Sequence, residues 1–360
     1  MKKVLITASS FSHIVSFHLP YLRGFQERGW EVHLCCGGEL KEIDCADRLI
    51  RVPFTKSMLS PANLKASRMI HRLCKENDYD LLITHTSLAA FFTRLGTFAL
   101  KKRPKVINVV HGYLFDDSDS LRRRLVMQGA ERFLAGHTDL VLTMNGYDYR
   151  WAKGHRAAAE VKNIHGMGVA VTPCESAERA ELGLREDDCV MIFPAEFSPR
   201  KNQSVLIRAL TQLPPRVKLL LPGQGELLES CKALSKELGV EDRVIFPGFV
   251  NGIGSLLAIS DLAVSSSRYE GLPFNIMEAM ACGLPRVVSD VKGNQDLVED
   301  GVSGFVCPYD DAPAFAAAVR RLLDDPELQK SMGRKSREDF EAYRLENVFP
   351  EVMEAYLSVL

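Results

Sequence analysis

Residues 262–289 read LAVSSSRYEGLPFNIMEAMACGLPRVVS. An apolar run, Leu262–Ser265, gives way to a polar loop. Apolar residues then gather at helical spacing over Phe274–Cys282, and a second apolar run follows at Arg286–Ser289. Pro273 stands where a helix start is preorganised by its fixed φ. A buried strand, a helix and a second buried strand within so few residues imply a parallel pair joined by a right-handed crossover.

The same alternation extends both ways. Upstream in this second series lie strands at Val190–Pro194, Lys218–Leu221 and Val244–Phe246, with Gly304–Val306 downstream. Helices are predicted over Asn202–Leu210, Glu226–Leu238 and Pro313–Leu323. An earlier series places strands at Val4–Thr7, Glu31–Cys35, Leu81–His85, Val106–His111 and Leu140–Thr143. Its helices fall at Leu19–Arg28, Leu64–Glu76, Leu88–Lys101 and Leu121–Ala135. Glycine and proline over Gly166–Pro173, followed by an acidic stretch from Glu175, mark a hinge near residues 166–174. The expected fold is therefore α/β: two Rossmann-like domains, residues 1–168 and 169–344, facing across a cleft. The amphipathic segment Leu345–Leu360 is either a plain terminal helix or a brace returning to the first domain.

Composition narrows the class. The 360 residues suit two domains, and 46% hydrophobic with 25% charged residues suits a globular enzyme. A formal net charge of −1 gives no general attraction to nucleic acid. The nine cysteines form no paired CxxC motif, and read as small buried hydrophobes in a reducing compartment. MKKVLITASS reads as a first buried strand, too short in its apolar run for a signal peptide. No apolar stretch approaches the roughly 18–20 residues that span a bilayer. The protein is expected in the cytoplasm, at most peripheral on the inner membrane face.

Ligands of open parallel sheets sit beyond the carboxyl ends of the strands, so the residues there carry the chemistry. After Ser265 come Ser266, Ser267, Arg268, Tyr269 and Glu270, then Gly271, Leu272 and Pro273. The N-terminus of the following helix favours an anion such as a diphosphate. Glu270 suits sugar hydroxyls, which donate to a carboxylate. Glu278, eight residues on, is on composition alone as readily a solvated helix charge as a binding group.

This block resembles the retaining glycosyltransferases of family 4, whose signature is E-x7-E within EGxxxxxxEAMAxGxP. Glu270 and Glu278 stand at that spacing, EAMACGLP occupies Glu278–Pro285, and VEDGVSGFV matches the downstream turn and strand. The spelling is similar to that of the bacterial exopolysaccharide and capsule branch. The resemblance implies a type B glycosyltransferase fold and transfer of a sugar, with retention, from a nucleoside diphosphate, UDP rather than GDP. It implies that Glu278 holds the donor ribose. Glu270 would meet the transferred sugar, beside the backbone of Gly271, Leu272, Pro273, Phe274 and Asn275. Arg200 and Lys201, in PAEFSPRKNQSVLIRAL, would neutralise the leaving diphosphate in place of a metal, so no metal or other cofactor is expected. Where many members carry an earlier arginine, this chain has Glu196.

Gly223, in GQGEL, is either a tight turn or a donor contact, and Gly248, in FPGFV, matches a segment flanking the nucleobase. KGNQD (Lys292–Asp296) replaces the family's GGxxE turn, and Arg286 replaces a valine. Both substitutions bear on donor choice. On the first domain, His111 ends a strand and the resemblance gives it a polar contact to the donor sugar or an acceptor phosphate. His13 and His18 lie in the first strand–helix connection, where members approach the acceptor; His85 is a weaker candidate. Arg122, Arg123 and Arg124 beside Leu121, Leu125 and Val126, and the cluster Lys101, Lys102, Arg103 and Lys105, are either solvated faces or a membrane contact. Such a contact would present a polyprenyl-diphosphate-linked glycan acceptor. Alternatives are a nucleotide-sugar epimerase and a nucleotide-sugar-binding partner subunit. A dinucleotide oxidoreductase fits poorly, because TASSFSH rather than GxGxxG follows the first strand.

Overall fold

The computed structural model describes residues 1–55, 57–170 and 176–360. Residues 171–174 of the expected hinge, Cys174 among them, and Glu175 lie outside the described residues. The chain forms two compact units, Met1–Gly168 with Leu345–Leu360, and Val169–Arg344.

In the first unit the elements run β1 (Lys3–Ala8), α1 (Phe11–Phe17), α2 (Leu19–Gln26), β2 (Glu31–Cys36), β3 (Arg48–Arg51), α3 (Pro61–Asn77), β4 (Leu81–His85), α4 (Ser87–Leu95), β5 (Lys105–Val110), α5 (Leu121–Leu134), β6 (Leu140–Thr143), α6 (Gly146–Gly154) and β7 (Glu160–Asn163). Among the described residues they make a seven-stranded parallel sheet in the order β3-β2-β1-β4-β5-β6-β7. The chain winds outward from β1, then returns to start again at β4. This reversal leaves a crevice beyond the carboxyl ends of β1 and β4. Central strands such as KVLITA and LLITH are apolar on both faces because helices cover both. The edge strands β3 and β7, RLIR and EVKN, carry charge and stay partly exposed, which keeps a sheet edge from pairing with other chains.

The second unit repeats the scheme with β8 (Cys189–Ile192), α7 (Gln203–Leu210), β9 (Val217–Leu220), α8 (Leu228–Glu237), β10 (Val244–Ile245), α9 (Gly254–Ala258), β11 (Leu262–Ser265), α10 (Phe274–Ala281), β12 (Arg286–Ser289), α11 (Asn294–Leu297), β13 (Gly304–Cys307), α12 (Ala312–Asp324) and α13 (Pro326–Phe340). Its six described strands are parallel, ordered β10-β9-β8-β11-β12-β13, and the reversal falls between β8 and β11.

The last helix, α14 (Leu345–Leu357), packs in the first unit. Val348, Val352, Met353 and Tyr356 are buried, and Phe349 lies 5.4 Å from the Tyr21 ring, centroid to centroid. A Cβ at Gly24 would stand 2.8 Å from the Phe349 ring, so α2 needs glycine there for α14 to seat. Cys282 is exposed and the other described cysteines are buried thiols. Among the described residues, no helix is long and apolar enough to cross a membrane.

Candidate functional site

In the second unit the reversal brings the loop after β8 against the loop after β11. Arg200 and Lys201 lie in the turn before α7, which begins at Gln203, one residue later than the expected Asn202. Asn202 takes a left-handed conformation, φ 55°, and its side chain donates to the Tyr309 carbonyl at 3.2 Å and to Asp310 at 2.9 Å. Ser266, fully buried after β11, donates to the carbonyls of Lys201 (3.1 Å) and Asn202 (2.9 Å), so the two loops are held together. The Ser289 hydroxyl donates to the Ser267 carbonyl at 2.5 Å, fixing the β11 loop from the other side.

This frame converges on Glu270. Its carboxylate accepts from Lys201 Nζ at 2.5 Å and from Arg200 Nη1 at 2.8 Å. Lys201 and Glu270 are 8% and 5% exposed, so both charges are held away from solvent. Burial works against the Glu270 charge, but Lys201, Arg200 and a Ser267 hydrogen bond outweigh it and hold the carboxyl below its usual range. The triad carries two positive charges and one negative, a net attraction for an anion. The resemblance implied a role for Glu270 toward sugar; in the structure it is bonded to both cations.

Next to the triad, α10 begins at Phe274, after Pro273, whose side chain offers no cap, and no acidic residue stands in its first turn. Asn275 donates to the Pro194 carbonyl at 2.9 Å, tying α10 to the β8 loop. Leu272 and Phe274 pack on the hydrophobic cluster around Ile276 and Met277, so Gly271–Asn275 is set on a rigid support. Glu278 lies one turn further, half-buried, and burial alone pushes its carboxyl up to about 7. Among the described residues its carboxylate has no hydrogen-bond or ion-pair partner.

That orphan predicts a trade. The folded carboxyl titrates above its unfolded value of 4.5, so the burial penalty is absent below about pH 4.5, builds as pH rises toward 7 and is complete above it. Glu278→Gln is expected to raise the melting temperature of the second unit at pH 8 and not at pH 4. A variant equally stable at pH 8 would show that the carboxylate is not desolvated.

Gly223 and Gly248 meet, the Gly223 N–H donating to the Gly248 carbonyl at 2.8 Å. A Cβ at Gly223, φ 153°, would fall 2.0 Å from the Ala195 carbonyl oxygen, so close backbone packing is enough to demand this glycine. Phe249 beside Gly248 is 66% exposed, an aromatic face open to a ligand. In KGNQD, Asp296 accepts from the Gly293 N–H at 3.1 Å and so closes the turn that opens α11. Arg286 is fully buried, donating to the Ser303 carbonyl at 3.1 Å. It braces the β12–β13 region and lies 3.7 Å from Asp339.

In the first unit the histidines read separately from sequence come together. His18 joins α1 to α2, His85 is the last residue of β4 and His111 follows β5. His13 on α1 completes the group, its N–H capped by Ser10 at 3.4 Å. One ligand-capable nitrogen from each of His13, His18, His85 and His111 lies within 4.8 Å of the others. His18 Nε2 is 3.2 Å from His13 Nε2, and His85 Nδ1 is 3.1 Å from His111 Nε2. Burial pushes His13 down to about 4, and burial with mutual repulsion holds the other three well below the ordinary value. All four are therefore neutral at pH 7. His85, the weakest candidate in the sequence, belongs to the group, its ring 3.8 Å from that of His18; its place at the end of a central strand was the available signal. Thr86 beside it holds φ 63°, a strained setting for a β-branched residue, and its hydroxyl accepts from the Ser9 N–H at 3.0 Å.

The basic clusters are mostly paired. Arg123 and Arg124 bind Asp119 and Asp117 at 3.2 and 2.9 Å, and Arg103 binds Asp139 at 2.7 Å. What stands out on α5 is apolar: Leu121, Leu125, Val126 and Phe133 are 53–71% exposed.

Comparison with known proteins agrees with this geometry. Residues 175–339 match the family of glycosyl transferases group 1, and residues 21–165 match glycosyltransferase family 4. The chain is 32% identical to EpsD of Bacillus subtilis, a protein named as a glycosyltransferase, over 99% of this chain and 98% of that one. It is 26% identical to the Escherichia coli UDP-Gal:alpha-D-GlcNAc-diphosphoundecaprenol alpha-1,3-galactosyltransferase, covering 83% and 80% of the two chains. Among solved structures, Anabaena HepE in complex with UDP and glucose superposes with a TM-score of 0.80 at 21% identity, covering all of both chains. Two Rossmann-like units, both family matches and full-length similarity to EpsD place this chain in the family 4 glycosyltransferases, sugar-transferring enzymes of the type B fold.

Proposed function

We propose that the enzyme moves a hexosyl or N-acetylhexosaminyl group, with retention, from a UDP-sugar to a lipid-linked precursor of a cell-surface polysaccharide. The observation that carries this reading is the Lys201–Glu270–Arg200 triad at the sheet reversal beside the uncapped start of α10. A diphosphate there meets two cations and a helix N-terminus, which stabilise the charge growing on it as the glycosidic bond breaks. Glu278 accepts from the ribose hydroxyls. Glu270 holds the cations in place and turns toward the sugar, and the Gly271–Asn275 backbone borders it. The leaving phosphate oxygen takes the proton of the incoming hydroxyl, so neither glutamate acts as a nucleophile. Arg200 and Lys201 supply the charge that a metal supplies elsewhere. His111 contacts the sugar, and His13 and His18 contact the acceptor as neutral hydrogen-bonding groups. UDP is favoured by HepE, and a diphosphate-lipid acceptor by the Escherichia coli relative.

Thermal stabilisation against UDP- and GDP-sugars without divalent metal tests the donor site. One UDP-sugar is expected to raise the melting temperature, and Glu278→Ala and Lys201→Ala to abolish the shift. No shift with any nucleotide would sink the donor assignment.

The acceptor reading includes contact with the inner face of the membrane through α5, where exposed Leu121, Leu125, Val126 and Phe133 accompany Arg122 and Arg132. The protein is expected to sediment with anionic phosphatidylglycerol vesicles at low salt, and Leu125→Asp with Phe133→Asp to release it. Indifference of the wild type to such vesicles would remove the membrane from the proposal.

A further inference from the structure

We infer that His13, His18, His85 and His111 form a binding site for a borderline divalent transition-metal ion of the Zn2+ class. The inference stands apart from the transferase reading, because it uses only donor atoms and their spacing.

Three observations carry it. The first is geometry. Tetrahedral coordination at Zn–N distances of about 2.0–2.1 Å sets neighbouring donor nitrogens about 3.3–3.4 Å apart. The His13–His18 and His85–His111 nitrogen pairs stand at 3.2 and 3.1 Å, and all four donors fall within 4.8 Å. The group already has nearly the dimensions of a coordination shell. Its six ring-to-ring distances run from 3.8 to 6.3 Å, so no ring must leave the cluster to take part.

Support for the donors is the second observation. They come from β4, from the first residue after β5, and from α1 with its junction to α2, elements fixed by the central sheet. His18 and His85 are 1% exposed, while His13 and His111 are half-buried and leave a way in from solvent. His18 Nε2 faces His13, while the other ring nitrogen of His18, Nδ1, is buried without a hydrogen-bond partner.

Third, the chemistry of the set selects its ligand. Imidazole nitrogen suits Zn2+, Cu2+ and Ni2+, whereas Mg2+ and Ca2+ require oxygen. Neutral imidazole is the form that coordinates a metal, and it offers no charge to an anion. An ion here would engage nitrogens that the transferase reading gives to sugar and acceptor, so occupancy would gate that unit rather than assist transfer.

The test uses chelator-treated full-length protein titrated with Co2+ alone. One equivalent is expected to give the intense visible bands of tetrahedral cobalt, and one equivalent of Zn2+ to remove them. X-ray absorption on the Zn2+ form is expected to show a nitrogen shell near about 2.0 Å. His18→Gln and His85→Gln should each weaken binding beyond the roughly 10- to 100-fold of an outer-shell change, while the surface variant His165→Gln leaves it unchanged. Sub-stoichiometric cobalt uptake, octahedral spectra, or undiminished affinity in both cluster variants would overturn the site. Should those variants misfold, the wild-type absorption spectrum still decides. Donor-induced thermal shifts measured in chelator are expected to persist, which separates failure of this inference from failure of the donor assignment.

Discussion

Lys201→Ala is expected to lower kcat by about 10²–10³, the effect of removing one preorganised group from a developing oxyanion. Lys201 is 8% exposed and bonded to Glu270 at 2.5 Å, so it adopts one position and needs no reorganisation as the diphosphate leaves. Its charge counts most when the bond to the sugar is breaking, so kcat should fall further than KM rises. Removing it also leaves Glu270 buried with Arg200 as its remaining cation, and the carboxyl pKa moves up. Glu270→Gln should be nearly as damaging, because it releases the two cations that the carboxylate orients. If Glu270 acts through them, the double variant Lys201→Ala/Glu270→Gln loses much less than the two single effects combined. Steady-state kinetics with one UDP-sugar and a fixed acceptor would measure this. A kcat within about threefold of wild type in a folded Lys201→Ala protein would remove Lys201 from the machinery.

The second large effect is structural. Arg94 is fully buried on α4, bonded to both oxygens of Glu131 on α5 at 3.0 and 2.8 Å, and donating to the Ala90 carbonyl at 3.2 Å. Deleting one partner leaves an uncompensated charge in the interior, a cost of about 3–5 kcal/mol. Glu131→Ala is therefore expected to lower the melting temperature of the first unit by roughly 10 °C, at about 2–4 °C per kcal/mol for a unit of this size. The paired replacement Arg94→Met/Glu131→Leu should restore most of the loss, since no buried charge remains. Calorimetry on the three variants tests both statements. A Glu131→Ala transition within 2 °C of wild type, by the same scale, would show that water reaches Arg94.

The central strands were legible because strands covered on both faces must be apolar throughout, and the expected Leu81–His85, Leu140–Thr143, Leu262–Ser265 and Arg286–Ser289 match β4, β6, β11 and β12. The edge strands β3 and β7 escaped notice for the converse reason, since RLIR and EVKN mix charged or polar residues with apolar ones and stay partly exposed. Helices α1, α6 and α13 were missed too; α13, PELQKSMGRKSREDF, is so polar that little beyond its buried Met332 and Phe340 marks an inner face. At the site, sequence picked Glu270, Arg200 and Lys201 from separate motifs, but a separation of 69 or 70 residues hides their union. The sheet reversal makes it. His13, His18, His85 and His111 show the same limit, because their meeting depends on β4 pairing between β1 and β5. Arg286, which stands where the family has a valine, gave no sequence sign of its bond to the Ser303 carbonyl.

The seating of α14 on α2 bears on how the protein is made. Tyr21, Gly24 and Phe25 precede the second unit in the chain, but the residues that cover them, Phe349, Met353 and Tyr356, follow it. All of Val169–Arg344 is translated in between, about 10–35 s at 5–20 residues per second. During that interval the first unit is a nascent chain with an uncovered apolar groove, while the second unit can complete its own core. The first unit thus cannot complete its packing until the whole of the second has been made.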